Sequence, residues 1–152
     1  MSNENMKHWD KLSVSDPQYL KKVNFGARNF TAIDPQYQIM IMTEEFGPVG
    51  IGWGWKSHLE HITAVNGDIT VLAHVTVWIK SDDCAFGEFV GCRKFFDAAK
   101  GRWSEDAPKM AVTDGLTKAL SHVGCNADVF LGKMDGNKYE ADSKAGRSSD
   151  GW

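Results

Sequence analysis

Apolar residues change their spacing along the chain from a helical period to an alternating one near residue 51. Between Gln36 and Phe46 they occupy adjoining faces of a helix, after an Asp34-Pro35 start and before a Gly47 stop. From Ile51 to Trp55 they alternate with glycine, which is typical of a strand. The pattern predicts a largely buried helix over residues 36–46 and then a β-rich segment that continues towards Ile62.

Two turn signals divide the β-rich segment into three strands. Asn66-Gly67 is the strongest short-range hairpin signal, and the segment after it, Ile69–Ile79, is rich in β-branched residues. A second turn at Ser81-Asp82-Asp83 precedes a third strand over Ala85–Phe96. The sequence therefore predicts a three-stranded antiparallel meander. Such a sheet needs helices to cover it, so the predicted fold class is α+β.

Two further helices are predicted from their start signals. Ser15-Asp16-Pro17 combines a capping side chain with proline at the first helical position, so we expect a helix through Tyr19–Lys22. Asp106-Ala-Pro108 is a similar start, and the segment after it runs to Gly124. Its apolar residues share one face and suit packing against the sheet: Val112, Leu116, Ala119, Leu120 and Val123.

Both ends of the chain lack an apolar period. Residues 1–11 are polar, and we expect them to be loosely ordered. After Leu131 the composition shifts to Gly, Ser, Asp and Lys. We therefore predict one domain over residues 1–134 and a flexible tail over residues 135–152. The aromatic end of that tail, Trp152, suits docking onto another protein, and the alternative is an ordinary disordered end.

Composition bounds the class of protein without deciding its function. The 152 residues are 42% hydrophobic and 24% charged, which is ordinary for one soluble domain. The three cysteines lack paired spacing and are interpreted as reduced thiols of a cytoplasmic protein. A net charge of -3 weighs mildly against nucleic-acid binding. The acidic residues lie mostly in predicted turns and in the tail, so a basic groove remains compatible with that charge.

Motifs for catalysis and for cofactors are missing from the sequence. Gly132-Lys133 lacks the rest of a P-loop, which excludes an ATP-driven recombinase of that kind. His58 and His61 are three residues apart on a predicted strand and would point to opposite faces, so they do not form a metal-binding pair. His74, in the most apolar strand, is expected to be a hydrogen-bonded core or interface residue. We predict no enzyme, no metal and no cofactor.

Cations in the structured segments, several of them near aromatic residues, suit a groove that follows a nucleic-acid backbone without reading its sequence. The alternative for each cation is an ordinary solvated surface position. Trp53 and Trp55 share one strand face and are interpreted as core or subunit-interface residues rather than as stacking platforms.

Several motifs together resemble the Rad-fifty-two-type single-strand annealing proteins, and most closely their small phage versions. These are the Thr31-Ala-Ile-Asp34 segment, the Thr43-Glu-Glu-Phe-Gly47 turn, the glycine-rich strand up to Trp53, and the helix Ala111-Val-Thr-Asp-Gly-Leu-Thr-Lys-Ala-Leu120. The helix motif is the most specific of these. The resemblance spans residues 21–133.

The resemblance implies an ATP-independent protein that binds single-stranded DNA and anneals complementary strands in homologous recombination. It implies subunits that pack side by side into a ring or helical homo-oligomer, with an outer basic groove that leaves the base edges exposed. It also implies a bacterial host cytoplasm. A phage exonuclease or a host single-strand DNA-binding protein is a candidate partner for the tail that ends at Trp152. No membrane association is expected.

The resemblance assigns DNA-binding roles to particular positions. Lys118 occupies the family's basic position on the helix motif, Lys133 resembles a second phosphate-contacting lysine, and Lys109 matches a basic residue of an outer DNA site. Tyr37 stands where the family has an arginine that binds DNA, and Asp68 replaces a cation near the first hairpin. Thr117 and Ser121 also replace cations, so other residues are expected to compensate: Arg28, Arg93, Lys94, Lys100 and Arg102.

Three alternatives remain open. A protective protein that coats single-stranded DNA without annealing it is the first, although its five-stranded barrel fits the long predicted helix poorly. A small α+β enzyme using His58, His61 or His122 is the second, and it lacks an accompanying nucleophile or cofactor motif. A purely structural oligomer that binds no nucleic acid is the third.

Overall fold

The computed structural model describes residues 3–132, which form an α+β fold with two antiparallel sheets. The predicted fold class is therefore confirmed. The chain divides into two compact units. One comprises residues up to Glu45 together with those from Val123, and the other comprises Phe46–His122. The predicted tail, residues 135–152, lies outside the described residues.

The first unit combines short helices with a two-stranded hairpin. Its α-helices are α1 (Lys7–Leu12), α2 (Pro35–Phe46, whose last residue belongs to the second unit) and α4 (Ala127–Phe130), and its strands are β1 (Leu20–Phe25) and β2 (Arg28–Ile33). Single turns of 3₁₀ helix occupy Glu4–Met6 and Pro17–Tyr19.

Two predictions for this unit are wrong. The helix predicted through Tyr19–Lys22 is a single 3₁₀ turn followed by strand β1. Asp16 does cap that turn, but the next residues pair with β2 across a tight turn at Gly26, and this pairing overrides the local start signal. Residues 7–11, expected to be loosely ordered, lie in α1, which is held by the fully buried side chain of its last residue, Leu12.

A polar network joins α4 to the segment after α1. The Asp128 carboxylate accepts from the Ser15 backbone N–H at 2.8 Å and from its hydroxyl at 2.6 Å. The buried Asn126 amide donates to the same hydroxyl at 2.7 Å. Because buried polar groups are costly when unpaired, this mutual satisfaction fixes the two segments against each other.

The second unit is a four-stranded antiparallel sheet with one long helix on it. The strands are hydrogen-bonded in sequence order: β3 (Trp53–Thr63), β4 (Ile69–Ile79), β5 (Cys84–Asp97) and β6 (Arg102–Trp103). The predicted turns at Asn66-Gly67 and at residues 81–83 both join strands, but the sheet has a fourth strand that the sequence did not predict. Neither sheet closes on itself within residues 3–132.

Helix α3 (Ala107–Ser121) packs on β4 and β5, close to its predicted bounds. Strand β4 alternates between the two faces of the sheet. Its buried positions face α3 and are Val71, Ala73, Val75, Val77 and Ile79. The intervening residues, which include His74, lie half-buried on the opposite face, called here the open face.

Two glycines set how closely α3 approaches the sheet. A Cβ atom on Gly91 of β5 would lie 2.1 Å from the Ala111 carbonyl oxygen and 2.3 Å from the Gly115 nitrogen. A Cβ atom on Gly115 would in turn lie 2.8 Å from a methyl carbon of Val75. Any side chain at either position would force the helix away from the strand, so glycine is required at both.

We expect Gly91→Ala to destabilise the protein by about 3 kcal/mol or more, the upper end of the cost of overpacking, because the added methyl group meets rigid backbone rather than a movable side chain. Denaturant unfolding of the purified variant measures the change. Gly101→Ala is the matched control: Gly101 has φ +60° with open space around it, so it should cost only about 1–2 kcal/mol. Equal losses in the two variants would contradict the close-packing argument.

Candidate nucleic-acid interface

The nine residues predicted to bind DNA fall in different parts of the chain. Arg28 and Tyr37 belong to the first unit, and Lys133 lies outside the described residues. The other six belong to the second unit: Arg93, Lys94, Lys100, Arg102, Lys109 and Lys118.

The two candidate residues of the first unit that lie within residues 3–132 belong to different elements, Arg28 to β2 and Tyr37 to α2. Arg28 is the first residue of β2, where its backbone pairs with Phe25. Tyr37 is 6% exposed, and its ring stacks on Tyr19 at a centroid distance of 4.5 Å. Its hydroxyl accepts from the Asp16 N–H at 2.6 Å, and burial raises its pKa. In this structure Tyr37 is a packing residue with little surface to offer DNA.

The candidate cations around α3 are paired with carboxylates. Lys118 Nζ lies 3.0 Å from Asp114 Oδ2, and Arg93 Nη1 from β5 lies 3.5 Å from the same oxygen. Lys109 Nζ lies 3.2 Å from Asp106. Arg93 and Lys109 line a groove of about 340 Å³ together with Asp114. A phosphate in that groove would have to compete with carboxylates already in place.

Lys94 on β5 is also paired. Its partner is Asp68, the residue that the resemblance placed where a cation was expected. Asp68 Oδ2 lies 3.1 Å from Lys94 Nζ, and Asp68 Oδ1 accepts from the Ala98 N–H at 2.8 Å. The Ala98 hydrogen bond, and then that from Lys94, lower the pKa of Asp68, while Asp68 raises the pKa of Lys94. Asp68 thus ties the β3–β4 turn to the end of β5.

Lys100 and Arg102 differ from the other four candidate cations of the second unit in their ion pairing. Within the described part of the chain neither forms an ion pair with a carboxylate. Both line a groove of about 200 Å³ at the β5–β6 hairpin, which we call the hairpin groove. Its other lining residues are Lys94, Phe95, Asp97, Trp103 and Ser104. Three cations, Lys94, Lys100 and Arg102, thus line the hairpin groove against one carboxylate, Asp97, so the lining carries a net positive charge.

Trp103 gives the hairpin groove an aromatic surface that the sequence analysis missed. Its ring packs against Phe96 at a centroid distance of 4.5 Å and meets Phe95 edge-on at 5.1 Å. These contacts hold the ring in place, yet 54% of the residue remains exposed. The run Lys100-Gly-Arg-Trp103, in which two cations are followed by an aromatic residue, is the sequence signal that could have found it.

A second polar cluster lies on the open face of the sheet. His58 of β3 and His74 of β4 are directly opposite each other, with parallel rings 4.6 Å apart. His74 Nε2 lies 2.6 Å from Glu60 Oε1, and His74 Nδ1 lies 3.2 Å from Glu88 Oε1. The hydrogen bond to Glu60 is the main reason that the pKa of His74 is raised. His74 is hydrogen-bonded as predicted, but it is half-buried on a polar face rather than in the core.

The histidine pair considered in the sequence does not come together. His61 lies opposite the buried Val71 and contacts the Phe95 ring at 5.5 Å, whereas His58 is on the open face. Trp53 is fully buried and Trp55 half-buried, with rings 5.7 Å apart. Both tryptophans are packing residues, in agreement with their predicted role.

Comparison with known proteins adds no family: no protein-family model matches the sequence, and no curated protein matches it significantly. Among residues 3–132, no helix combines the length and apolar character that a membrane crossing requires.

The lowered pKa of Asp68 predicts a pH-dependent contribution to stability. Because its folded-state pKa lies below the ordinary 3.8, the carboxylate stabilises the folded protein at neutral pH, and this stabilisation is lost as the pH falls through the folded-state pKa. Asp68→Asn should therefore be less stable than the wild type near pH 7. The difference should narrow below about pH 4. Thermal unfolding across this pH range measures it, and a difference independent of pH would contradict the assignment.

Proposed function

We propose that this protein binds single-stranded DNA without ATP and anneals complementary strands, as a side-by-side homo-oligomer. The observation that carries the proposal is the hairpin groove, where Lys100 and Arg102 stand beside the exposed ring of Trp103. Cations with an adjacent aromatic surface are the combination by which proteins bind single strands without sequence preference.

The chemistry of the hairpin groove suits a backbone with unpaired bases. Phosphate oxygens accept hydrogen bonds from lysine and arginine, and each neutralised phosphate releases a counterion. The Trp103 ring offers a face on which any base can stack. Stacking uses the face of the base and leaves its Watson–Crick edge free, so a bound strand can still test a complementary one.

The ion-paired cations have a smaller part in this proposal. Lys118 and Arg93 share Asp114, so phosphate binding there would replace an existing electrostatic contact instead of adding a new one. We therefore place the first contacts of the strand at Lys100 and Arg102. Lys94, Lys109 and Lys118 would extend its path.

The oligomer in the proposal is supported by the free edge of β3. This strand has 11 residues. Among the described residues it pairs with β4 and, at its first residue only, bridges from Trp53 to Val49, so most of one side of its backbone is unpaired within the sheet. Two apolar residues on it are exposed, Leu59 at 43% and Ile62 at 50%. A long edge strand with exposed apolar residues is a ready surface for association with another chain.

The proposal is tested by mixing two complementary labelled oligonucleotides with the protein, without ATP or added metal. We expect annealing well above the spontaneous rate. Binding without acceleration would indicate a coating protein, and no binding would overturn the proposal. Light scattering at micromolar protein would reveal the expected oligomer.

In the same experiments, the double variant Lys100→Ala/Arg102→Ala should anneal more slowly and bind single strands more weakly. Loss of two phosphate contacts should reduce the slope of log K against log salt by about 1.4, at about 0.7 per contact. Lys80→Ala is the matched control, because Lys80 is an exposed cation at the β4–β5 turn, the other end of the sheet. A double variant that behaves like this control would remove the hairpin groove from the DNA path.

Trp103→Ala should weaken single-strand binding by about 1–3 kcal/mol, roughly five- to 150-fold in Kd, because it removes the stacking surface. Trp103→Phe keeps an aromatic ring and should retain most of the affinity. Fluorescence anisotropy with a labelled oligonucleotide measures both, and circular dichroism checks the fold. If Trp103→Ala folds and binds like the wild type, no base stacks there.

A further inference from the structure

The open face of the second unit holds a cluster of side chains that could bind a metal ion and that the proposed function does not use. His58, His74 and Glu88 come from three adjacent strands, β3, β4 and β5, and one ligand atom of each lies within 4.8 Å of the others. All three side chains reach solvent, with exposures of 64%, 19% and 49%. The cluster is therefore accessible to an ion from solution.

The hydrogen bonds of the cluster indicate which ring nitrogens are available to bind a metal ion. His74 Nε2 is 2.6 Å from Glu60 Oε1, so a proton on Nε2 is donated to that carboxylate. His74 Nδ1 then faces Glu88 Oε1 at 3.2 Å, and His58 Nδ1 lies 4.0 Å from Glu88 Oε2. Two imidazole nitrogens and one carboxylate thus lie close together. Because the two rings are stacked parallel, the exposed His58 ring must rotate out of the stack to direct its lone pair at an ion held by His74. Glu60 lies behind His74, as carboxylates do behind metal-bound histidines.

We propose that His58 Nδ1, His74 Nδ1 and Glu88 bind a divalent cation of the zinc class, with Glu60 as the positioning residue that orients His74. Two imidazoles and one carboxylate suit Zn²⁺, with Zn–N distances of about 2.0–2.1 Å and a further position open to water or another ligand. Tetrahedral zinc holds its ligand atoms about 3.3 Å apart at those bond lengths. The side chains must therefore close in by at most about 1.5 Å from their 4.8 Å spread, and the exposed His58 and Glu88 can do so by rotation.

Coordination would connect three strands of the sheet. The only link between β3 and β5 in the cluster is the 4.0 Å approach of His58 to Glu88. A metal ion would replace it with two coordinate bonds. Binding to the folded state alone raises the midpoint of thermal unfolding, so stability reports on the site independently of DNA binding.

The experiment is a titration of the full-length, untagged, chelator-treated protein with Zn²⁺ in the absence of DNA, followed by calorimetry and thermal unfolding. We expect one Zn²⁺ per chain and a higher unfolding midpoint. His58→Ala and Glu88→Gln should each weaken binding by about tenfold or more, and Glu60→Gln by about 10- to 100-fold. His61→Ala is the matched control, because it lies on the same strand but on the opposite face, and it should bind like the wild type.

Co²⁺ in place of Zn²⁺ identifies the ligands by absorption. Cys84 and Cys92 are exposed thiols that could bind the ion instead. Bands without thiolate-to-cobalt charge transfer would agree with the proposed site. Thiolate bands, unchanged affinity in folded Glu88→Gln, or no saturable binding by the wild type would each overturn it.

Discussion

The close approach of Gly91 to Gly115 is the contact on which the second unit depends. With no side chain at either position, the α3 backbone lies directly on β5, and the Asp114 carboxylate can accept from the Cys92 N–H at 3.2 Å. The same carboxylate meets Arg93 and Lys118. The steric constraint between the two backbones thus brings Arg93 of β5 to the Asp114 carboxylate, which Lys118 already meets within α3. Lys100 and Arg102, which form no ion pair among the described residues, lie at the β5–β6 hairpin.

Much of this fold follows from local sequence patterns. Strand β4 keeps its predicted bounds because a segment rich in β-branched residues after a turn signal can be recognised without its partner strands, and α3 starts at its predicted signal. Strand β1 was missed because its pairing with β2 outweighs the Asp16 cap. Among the cations, the pairing of Lys118 with Asp114 is a four-residue helix spacing that sequence could have revealed. The pairing of Arg93 with the same carboxylate joins a strand to a helix, and only the fold shows it.

The histidine cluster depends on strand register, which a turn signal fixes only to within one residue. A two-residue turn at Asn66-Gly67 would place His58 opposite Val75. The loop found between Thr63 and Ile69 places His58 opposite His74 instead. Because side chains alternate between faces, a slip of one residue would leave His58 and His74 on opposite faces of the sheet. The cluster therefore could not be predicted from the spacing of His58 and His61 along one strand.

The hairpin groove and the histidine cluster have opposite electrostatic character on one sheet. Glu60 and Glu88 make the middle of the open face unfavourable for phosphates, whereas Lys100 and Arg102 attract them at the β5–β6 end. A single strand bound by the apo protein would therefore keep to the hairpin end. A divalent cation held by His58, His74 and Glu88 would offset the two carboxylate charges and remove that repulsion. The two proposals are separate in their residues, yet electrostatics links them, because a bound cation would make the potential around the sheet less repulsive to a DNA backbone.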